Sequence, residues 1–436
     1  MYKYKVNTYG CQMNVHESEK IAGMLESLGY EKTEDDEKAD VVVFNTCCVR
    51  ESAETHAVGN IGMLKPLKEK NKNLIVAVGG CMTQQDGKAK KLKETFPFID
   101  IVFGTHNLSL FKEYLEKRLK TGEKTVEIAD SRENIEETTL VKRTSYPNAW
   151  VNVMYGCDNF CTYCIVPYVR GREISRPPKD VLAEVKSLIK DGYKEITLLG
   201  QNVDSYVGDG EIKDFSDLLK KVDEIDGDFR IRFMSNHPKD VNEKLIGVIK
   251  NSGKICKSVH LPVQSGSTRI LALMNRKYTR EEYLKKVELI RKELPDCAIT
   301  TDIMVGFPTE TDEDFRDSIT LLEQVRFDGA FTFVYSKRSG TVAADMDGQI
   351  DKEVKKARII KMVAVQNAVN AEKSKKYHGK VFSVLCEDYD GEKSLYSGRD
   401  ESGRMIYFKS DKNVLGDFVN VLVTKTGGIS LFGEIV

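Results

Sequence analysis

Three cysteines fall within eight residues, Cys157, Cys161 and Cys164, spaced C-x3-C-x2-C in the run GCDNFCTYC. Three thiols this close ask for a shared metal centre, and the fold must supply a loop that holds it. A structural zinc site needs four closed ligands. A cubane iron–sulfur cluster also has four corners, usually filled by cysteine thiolates. The next cysteine is Cys256, and no histidine lies near the run. Either a zinc loop borrows a distant ligand, or three thiolates hold a four-iron cluster and leave one iron open to a substrate. The preceding stretch Trp150–Tyr155, WVNVMY, is apolar and aromatic and reads as a buried strand. The cysteines then occupy a loop at the carboxyl end of a strand, where α/β proteins place their chemistry.

A chain of 436 residues predicts two or three domains. Its 66 basic and 67 acidic residues exclude a strongly basic nucleic-acid footprint. The start, MYKYKVNTYG, has no apolar signal core, and no long apolar run occurs. A cytoplasmic protein with no membrane partner is expected. Ten cysteines in a reducing compartment point to metal ligands, catalytic groups or buried thiols rather than disulfides. Cys256, Cys297 and Cys386 stand singly and read as small core hydrophobes.

Residues 1–118 predict a doubly wound parallel sheet. Three strand candidates each end in cysteine: Tyr2–Cys11, Asp40–Cys47 and Leu74–Cys81. A helical pattern follows the first, with Ile21, Met24, Leu25 and Leu28 on one face before Gly29. This βα rhythm gathers Cys11, Cys47 and Cys81 on one rim, the usual ligand-binding edge. Three thiols at equivalent positions of a repeat predict a second metal cluster. Gly10, Gly79 and Gly80 would let backbone approach it. Cys48 should point away if the strand continues, and is not expected as a ligand. Residues 119–145 are polar, with five acids between Glu127 and Thr139, and read as a surface linker.

Residues 146–373 carry six strand-like runs alternating with helical patterns, which predicts a partial (β/α)6 barrel. Its lateral opening would admit a macromolecule. Four polar loops follow its strands: GQNVD at Gly200–Asp204, SNHP at Ser235–Pro238, PVQSGS at Pro262–Ser267 and GFPTE at Gly306–Glu310. Gln201, Ser235, Gln264 and Gly306 are their candidate ligand contacts. His237 and His260 could act in acid–base chemistry or merely bond the loops. Arg170, Arg172 and Arg176, just past the cysteine loop, suit an anionic cluster, a phosphate backbone or a solvated loop. Residues 376–436 hold five short strands, expected to form a small antiparallel, OB-like β-barrel. Its Tyr389, Tyr396, Tyr407 and Phe408 could stack on bases or fill its core.

Taken in order, the three strand-end cysteines, the C-x3-C-x2-C loop on a partial barrel and the small β-barrel resemble the radical S-adenosylmethionine (SAM) methylthiotransferases. The resemblance covers essentially the whole chain. The motifs TYGCQMN at Thr8–Asn14, NTC at Asn45–Cys47, GGC at Gly79–Cys81, LLGQNV at Leu198–Val203 and HLPVQSGS at His260–Ser267 are similar to the branch acting on tRNA. The resemblance implies a methylthiotransferase domain, a radical-SAM domain and a TRAM domain. It implies two [4Fe-4S] clusters, one on Cys157, Cys161 and Cys164 and one on Cys11, Cys47 and Cys81. The first would reduce SAM to a 5′-deoxyadenosyl radical, with Tyr163 beside the adenine. The second would carry the sulfur to be inserted, and a second SAM would methylate it. The substrate would be N6-dimethylallyladenosine beside the tRNA anticodon. The alternatives are the same chemistry on threonylcarbamoyladenosine or on a ribosomal-protein side chain. An electron donor such as flavodoxin or ferredoxin and a sulfur donor would be partners, with the enzyme a monomer. A non-catalytic zinc or iron–sulfur protein, by contrast, would cleave no SAM.

Overall fold

The structure is a computed structural model that describes residues 2–49, 51–131 and 141–436. Its first sheet is parallel throughout, in the spatial order Glu31–Lys32, Lys3–Thr8, Val41–Thr46, Ile75–Gly80, Ile101–Phe103 and Thr125–Glu127. The two central strands are buried along their whole length. This requires helices on both faces. Val41 and Val43 pack with Ile21 and Leu25 of the helix Gln12–Ser27. Val42 and Phe44 alternate to the other face, against Ile61 and Leu64. The doubly wound reading therefore holds. The sheet runs past residue 118, because Thr125–Glu127 pairs with Ile101–Phe103 as its edge strand. Part of the stretch read as a linker thus belongs to the sheet. Most of its acidic run lies outside the described residues.

The partial barrel consists of two parallel three-stranded sheets. One holds Asn148–Asn152, Glu195–Leu199 and Arg230–Phe233; the other holds Ser258–His260, Ala298–Val305 and Gly329–Val334. A bridge joins Ile231 of the first to Ile255, just ahead of the strand Ser258–His260 of the second. Among the described residues, the outermost strands Asn148–Asn152 and Gly329–Val334 do not pair with each other, which leaves the barrel open on that side. Val151, Ile196, Leu198, Ile231, Ile299 and Ile303 face the helices. By alternation Trp150, Thr197, Arg232, His260 and Asp302 face the interior. Two of the helices, Arg280–Glu293 and Asp312–Val325, begin with complete capping boxes at Thr279 and Thr311. A further helix, Lys352–Lys375, was not read from the sequence. Its buried residues are Arg358, Met362, Gln366, Val369 and Ser374, of which three are polar.

The helix Gln12–Ser27 lies between the first sheet and the barrel, and buries Asn14, His16, Glu17, Glu19 and Lys20. Buried polar groups need partners, and the barrel side supplies them. Arg143 meets His16 at 3.0 Å and Glu19 at 3.2 Å, and Lys20 donates to the Tyr155 hydroxyl at 3.0 Å.

The last five strands close into a barrel in the order Val381–Asp390, Leu395–Arg399, Met405–Lys409, Ser430–Ile435 and Phe418–Gly427. One pair, Met405–Lys409 with Ser430–Ile435, is parallel, so the barrel is not wholly antiparallel. Tyr396 and Phe408 fill its core, Tyr389 lies tilted against Tyr396 and Tyr407 stacks on Phe432. Of the four aromatics considered for bases, only Tyr389 is exposed. The small barrel docks at the amino-terminal ends of the central strands. There the Arg232 Nε donates to the buried Glu195 at 2.7 Å and its Nη1 to the Glu401 carbonyl at 3.1 Å. No described helix is long and apolar enough to cross a membrane.

Arg232→Ala should cost about 3 kcal/mol, because it leaves Glu195 short of its nearest cation and cuts the tether to the small barrel. Chemical denaturation with limited proteolysis should report the loss and early release of residues 376–436.

Candidate active site

The cysteine loop is fastened by backbone. Met154–Tyr155 pairs antiparallel with Ile174–Ser175, and the loop between them carries the three thiols. Gly156 has φ +77°, and a Cβ there would lie 1.9 Å from the Arg172 carbonyl oxygen. Phe160 is held at φ +45°, and the Asn275 Nδ2 donates to its carbonyl at 3.0 Å. The Thr162 hydroxyl donates to the Leu273 carbonyl at 2.9 Å.

Two side-chain donors point at the sulfurs: Asn159 Nδ2 to Cys157 at 3.3 Å and Arg276 Nη1 to Cys161 at 3.4 Å. Arg276 is buried, and its other partners are the Tyr278 hydroxyl and the Pro262 carbonyl. Among the described residues no carboxylate pairs with it. A guanidinium keeps its proton, and a buried charge without a counter-charge is strongly destabilising. Thiolates on a metal cluster are the anions this position supplies. Burial pushes the Cys157 thiol up to about 11. Burial and the neighbouring Cys161 push Cys164 up to about 12. Both are therefore protonated until a metal displaces the proton. Three thiols with a buried cation beside them fit an anionic cubane cluster, whose fourth iron needs no protein ligand.

The three arginines past the loop divide. Arg170 and Arg176 are 4% and 3% exposed, each inside internal ion pairs, so neither can meet an RNA backbone. Arg172 alone is exposed, paired with Asp158 and lying over Phe160.

The polar loops gather at the same rim. Ser235, Gln264 and Thr309 have φ of +72°, +68° and +64°. Such strained backbone on non-glycine residues clusters at ligand sites. Gln264 is fixed by a bond from its N–H to Asp302 and another to its carbonyl from Met304, both 2.8 Å. The buried oxygens Gln201 Oε1 and Asn236 Oδ1 find no partner among the described residues, as groups awaiting a polar ligand would. Tyr163 packs with Phe307 and Tyr335 in an apolar cluster beside Cys164. At Gly306 a Cβ would meet the Lys355 side chain at 2.4 Å, so its bareness also seats the helix Lys352–Lys375. Burial, with help from Arg276, pushes His237 down to about 2, leaving it neutral. His260 bonds Thr300 at 3.0 Å and lies 3.7 Å from Asp302.

Cys11, Cys47 and Cys81 follow three neighbouring strands of the first sheet. The glycines beside them serve the protein itself. A Cβ on Gly10 would strike Cys47, one on Gly79 would strike Phe103, and one on Gly80 would strike the Thr46 backbone. Cys48 does not point away. The strand ends at Thr46, and the Cys48 thiol is buried against Cys81, to which it hydrogen-bonds. That bond and the nearby Arg170 hold Cys81 below the ordinary thiol range, against its burial. Arg170 was among the three arginines that suited an anionic cluster, whereas Arg276 was not singled out from sequence, since it reaches its thiol only through the tertiary fold.

A parallel partial barrel with a three-cysteine loop on its carboxyl rim defines the radical-SAM class. The model of the Radical SAM superfamily matches residues 151–322. Those of the uncharacterized protein family UPF0004 and the TRAM domain match 3–104 and 375–436. The fold resembles the radical S-adenosylmethionine methyltransferase TsrM from Kitasatospora setae, solved with cobalamin and a [4Fe-4S] cluster. The TM-score is 0.59 at 15% identity, covering 79% of this chain and 77% of that one. The chain is 50% identical to the tRNA-2-methylthio-N(6)-dimethylallyladenosine synthase of Thermoanaerobacter pseudethanolicus, over 99% of its own length and 92% of the relative's. It is 51% identical to the enzyme of that name from Clostridium tetani, over 98% and 95%. The chain belongs to the family of tRNA-2-methylthio-N(6)-dimethylallyladenosine synthases.

Gly156→Ala should leave the protein folded by circular dichroism but strip iron from the Cys157 loop, read as loss of its absorbance after anaerobic reconstitution. A second expectation concerns Asp204, whose carboxyl burial pushes up to about 7. The folded state keeps a proton that the unfolded chain releases near 3.8, so stability falls as pH rises through that window. Asp204→Asn should flatten this slope, by up to about 4 kcal/mol, in denaturation curves taken across it.

Proposed function

We propose that this chain inserts a methylthio group at C2 of N6-dimethylallyladenosine beside the tRNA anticodon. The observation that carries the reading is the packing of the segment that follows the Cys157–Cys164 loop against the cysteine rim of the first sheet, where Ile165 and Val169 meet Cys81 and Arg170 donates to its sulfur. The name shared by relatives of about half-identical sequence supports the substrate.

In this reading Cys157, Cys161 and Cys164 hold one [4Fe-4S] cluster, and Cys11, Cys47 and Cys81 hold a second. When bound, the clusters and SAM supply a radical able to take hydrogen from an unactivated adenine carbon, and the sulfur that replaces it. The protein's part is placement. Tyr163 offers an aromatic face for the SAM adenine, Gln201 and Gln264 offer amides, and the backbone at Ser235 and Gly306 closes the site. Arg276 balances the anionic cluster. The gap beside Gly329–Val334, where Phe331 is 54% exposed, gives a tRNA loop a way in. The TRAM barrel adds an RNA-binding module. The first domain takes in Thr125–Glu127, the central domain runs from 146 to 373, and the TRAM domain from 376 to 436. A cytoplasmic monomer served by a flavodoxin- or ferredoxin-type electron donor and a separate sulfur donor completes the scheme.

The test offers unmodified, dimethylallylated and threonylcarbamoylated anticodon stem-loops to reconstituted, reduced protein with SAM. Nucleoside mass spectrometry should find methylthio addition on the dimethylallylated loop alone. Addition to the threonylcarbamoylated loop would move the chain to a sister activity. Cys161→Ala should abolish 5′-deoxyadenosine formation, while Cys47→Ala should retain some and lose all sulfur insertion. Insertion persisting in Cys47→Ala would remove the second-cluster assignment.

A further inference from the structure

Arg170 ends the short helix Val166–Arg170 of the cysteine loop, yet its side chain is spent in the first domain. Its Nε donates to Cys81 Sγ at 3.2 Å. Its Nη2 donates to Asn14 Oδ1 at 2.7 Å and to Glu17 Oε2 at 3.1 Å, and its Nη1 pairs with the other oxygen of Glu17. The same Asn14 oxygen accepts from the Cys11 thiol at 3.8 Å. Glu17, itself 3% exposed, matches the guanidinium charge, and with Asn14 it fixes the fork so that Nε is aimed at sulfur. A clamp on Glu17 alone would need only the two terminal nitrogens. The third donor, turned onto a thiol, is surplus to holding the domains together.

We propose that Arg170 sets the reduction potential of the cluster held by Cys11, Cys47 and Cys81. The proposal rests on the second-cluster reading above. A hydrogen bond donated to a ligand sulfur stabilises the more negative, reduced cluster, and so raises its potential. Arginine suits this role because it keeps its charge and offers a rigid fork; lysine would bring a point charge without the aimed Nε. Because the same residue ends the helix that follows Cys164, the donor is positioned by the loop of the first cluster. Arg170 is thus a positioning residue that acts on the second cluster from the opposite domain.

The test isolates the second cluster in the full-length variant Cys157→Ala/Cys161→Ala/Cys164→Ala, reconstituted anaerobically. Two further changes are made in that background. Arg170→Met/Glu17→Gln removes the donor and leaves no buried carboxylate unpaired. Arg170→Lys keeps the charge. Iron content, thermal unfolding and the midpoint potential, from dithionite titration followed by electron paramagnetic resonance, are read for each. The expected result is unchanged iron and a midpoint moved to a more negative value, by a larger step for Arg170→Met/Glu17→Gln than for Arg170→Lys. Should the first variant fail to fold, the negative shift of Arg170→Lys carries the test. An unchanged midpoint with full iron would overturn the proposal, as would iron lost from the folded Arg170 variants alone, which would make the residue a strut. Absence of iron from the isolating background itself would instead remove the second-cluster reading.

Discussion

A guanidinium cannot shed its proton, so a buried arginine must be met by negative charge. The site is arranged around this constraint. Arg276 lies beneath the cysteine loop with hydroxyl and carbonyl partners and the Cys161 sulfur. Arg170 has Glu17 as its counter-ion and still turns one donor to Cys81. Each cysteine set therefore has a permanent cation within hydrogen-bonding distance of one of its sulfurs. For neutral thiols this would be an expensive way to satisfy weak acceptors. For thiolates bound to iron, the same contacts are charge-assisted and oriented.

The second organising element is the helix Gln12–Ser27. It is covered by the first sheet on one side and the barrel on the other, so its polar residues become the joint between domains. Asn14 bonds the Tyr9 and Thr46 carbonyls at strand ends and also the Arg170 fork. Glu19 accepts from the Thr144 backbone at 2.9 Å. The joint sets the rim of the first sheet against the cysteine loop of the barrel, and that is the arrangement the proposed sulfur transfer needs. The small barrel docks at the other end of the central strands, on Glu195 and Arg232.

Much of this was legible in the sequence, for reasons that can be named. Strand-end cysteines, βα periodicity and the spacing of Cys157, Cys161 and Cys164 are local patterns that survive folding. Parallel order puts the strand ends together without further information. What stayed hidden depends on tertiary contact. Cys48 turns toward Cys81 because the strand stops at Thr46, two residues sooner than alternation assumed. Arg170 and Arg176 suited an anionic cluster, a phosphate backbone or a solvated loop equally well, and tertiary contact decides: the first domain takes up Arg170, while Arg176 is held by Asn152 and Glu184 of its own domain. Gly10, Gly79, Gly80 and Gly306 each also make room for a side chain or backbone that sequence could not place there. The helix Lys352–Lys375 hides because its inward stripe alternates Arg358 and Gln366 with Met362 and Val369. The strained residues Ser235 and Gln264 were chosen for their chemistry, and their positive φ is a property only coordinates reveal.

The central claim is that two sets of three thiolates each carry a four-iron cluster at one interface. Iron and acid-labile sulfide analysis with Mössbauer spectroscopy of the anaerobically reconstituted chain tests it most directly. The account predicts about eight irons per chain, all in cubane clusters, and about half of them left when either cysteine set is replaced by alanine. About four irons in the intact chain, unaffected by replacing Cys11, Cys47 and Cys81, would contradict it.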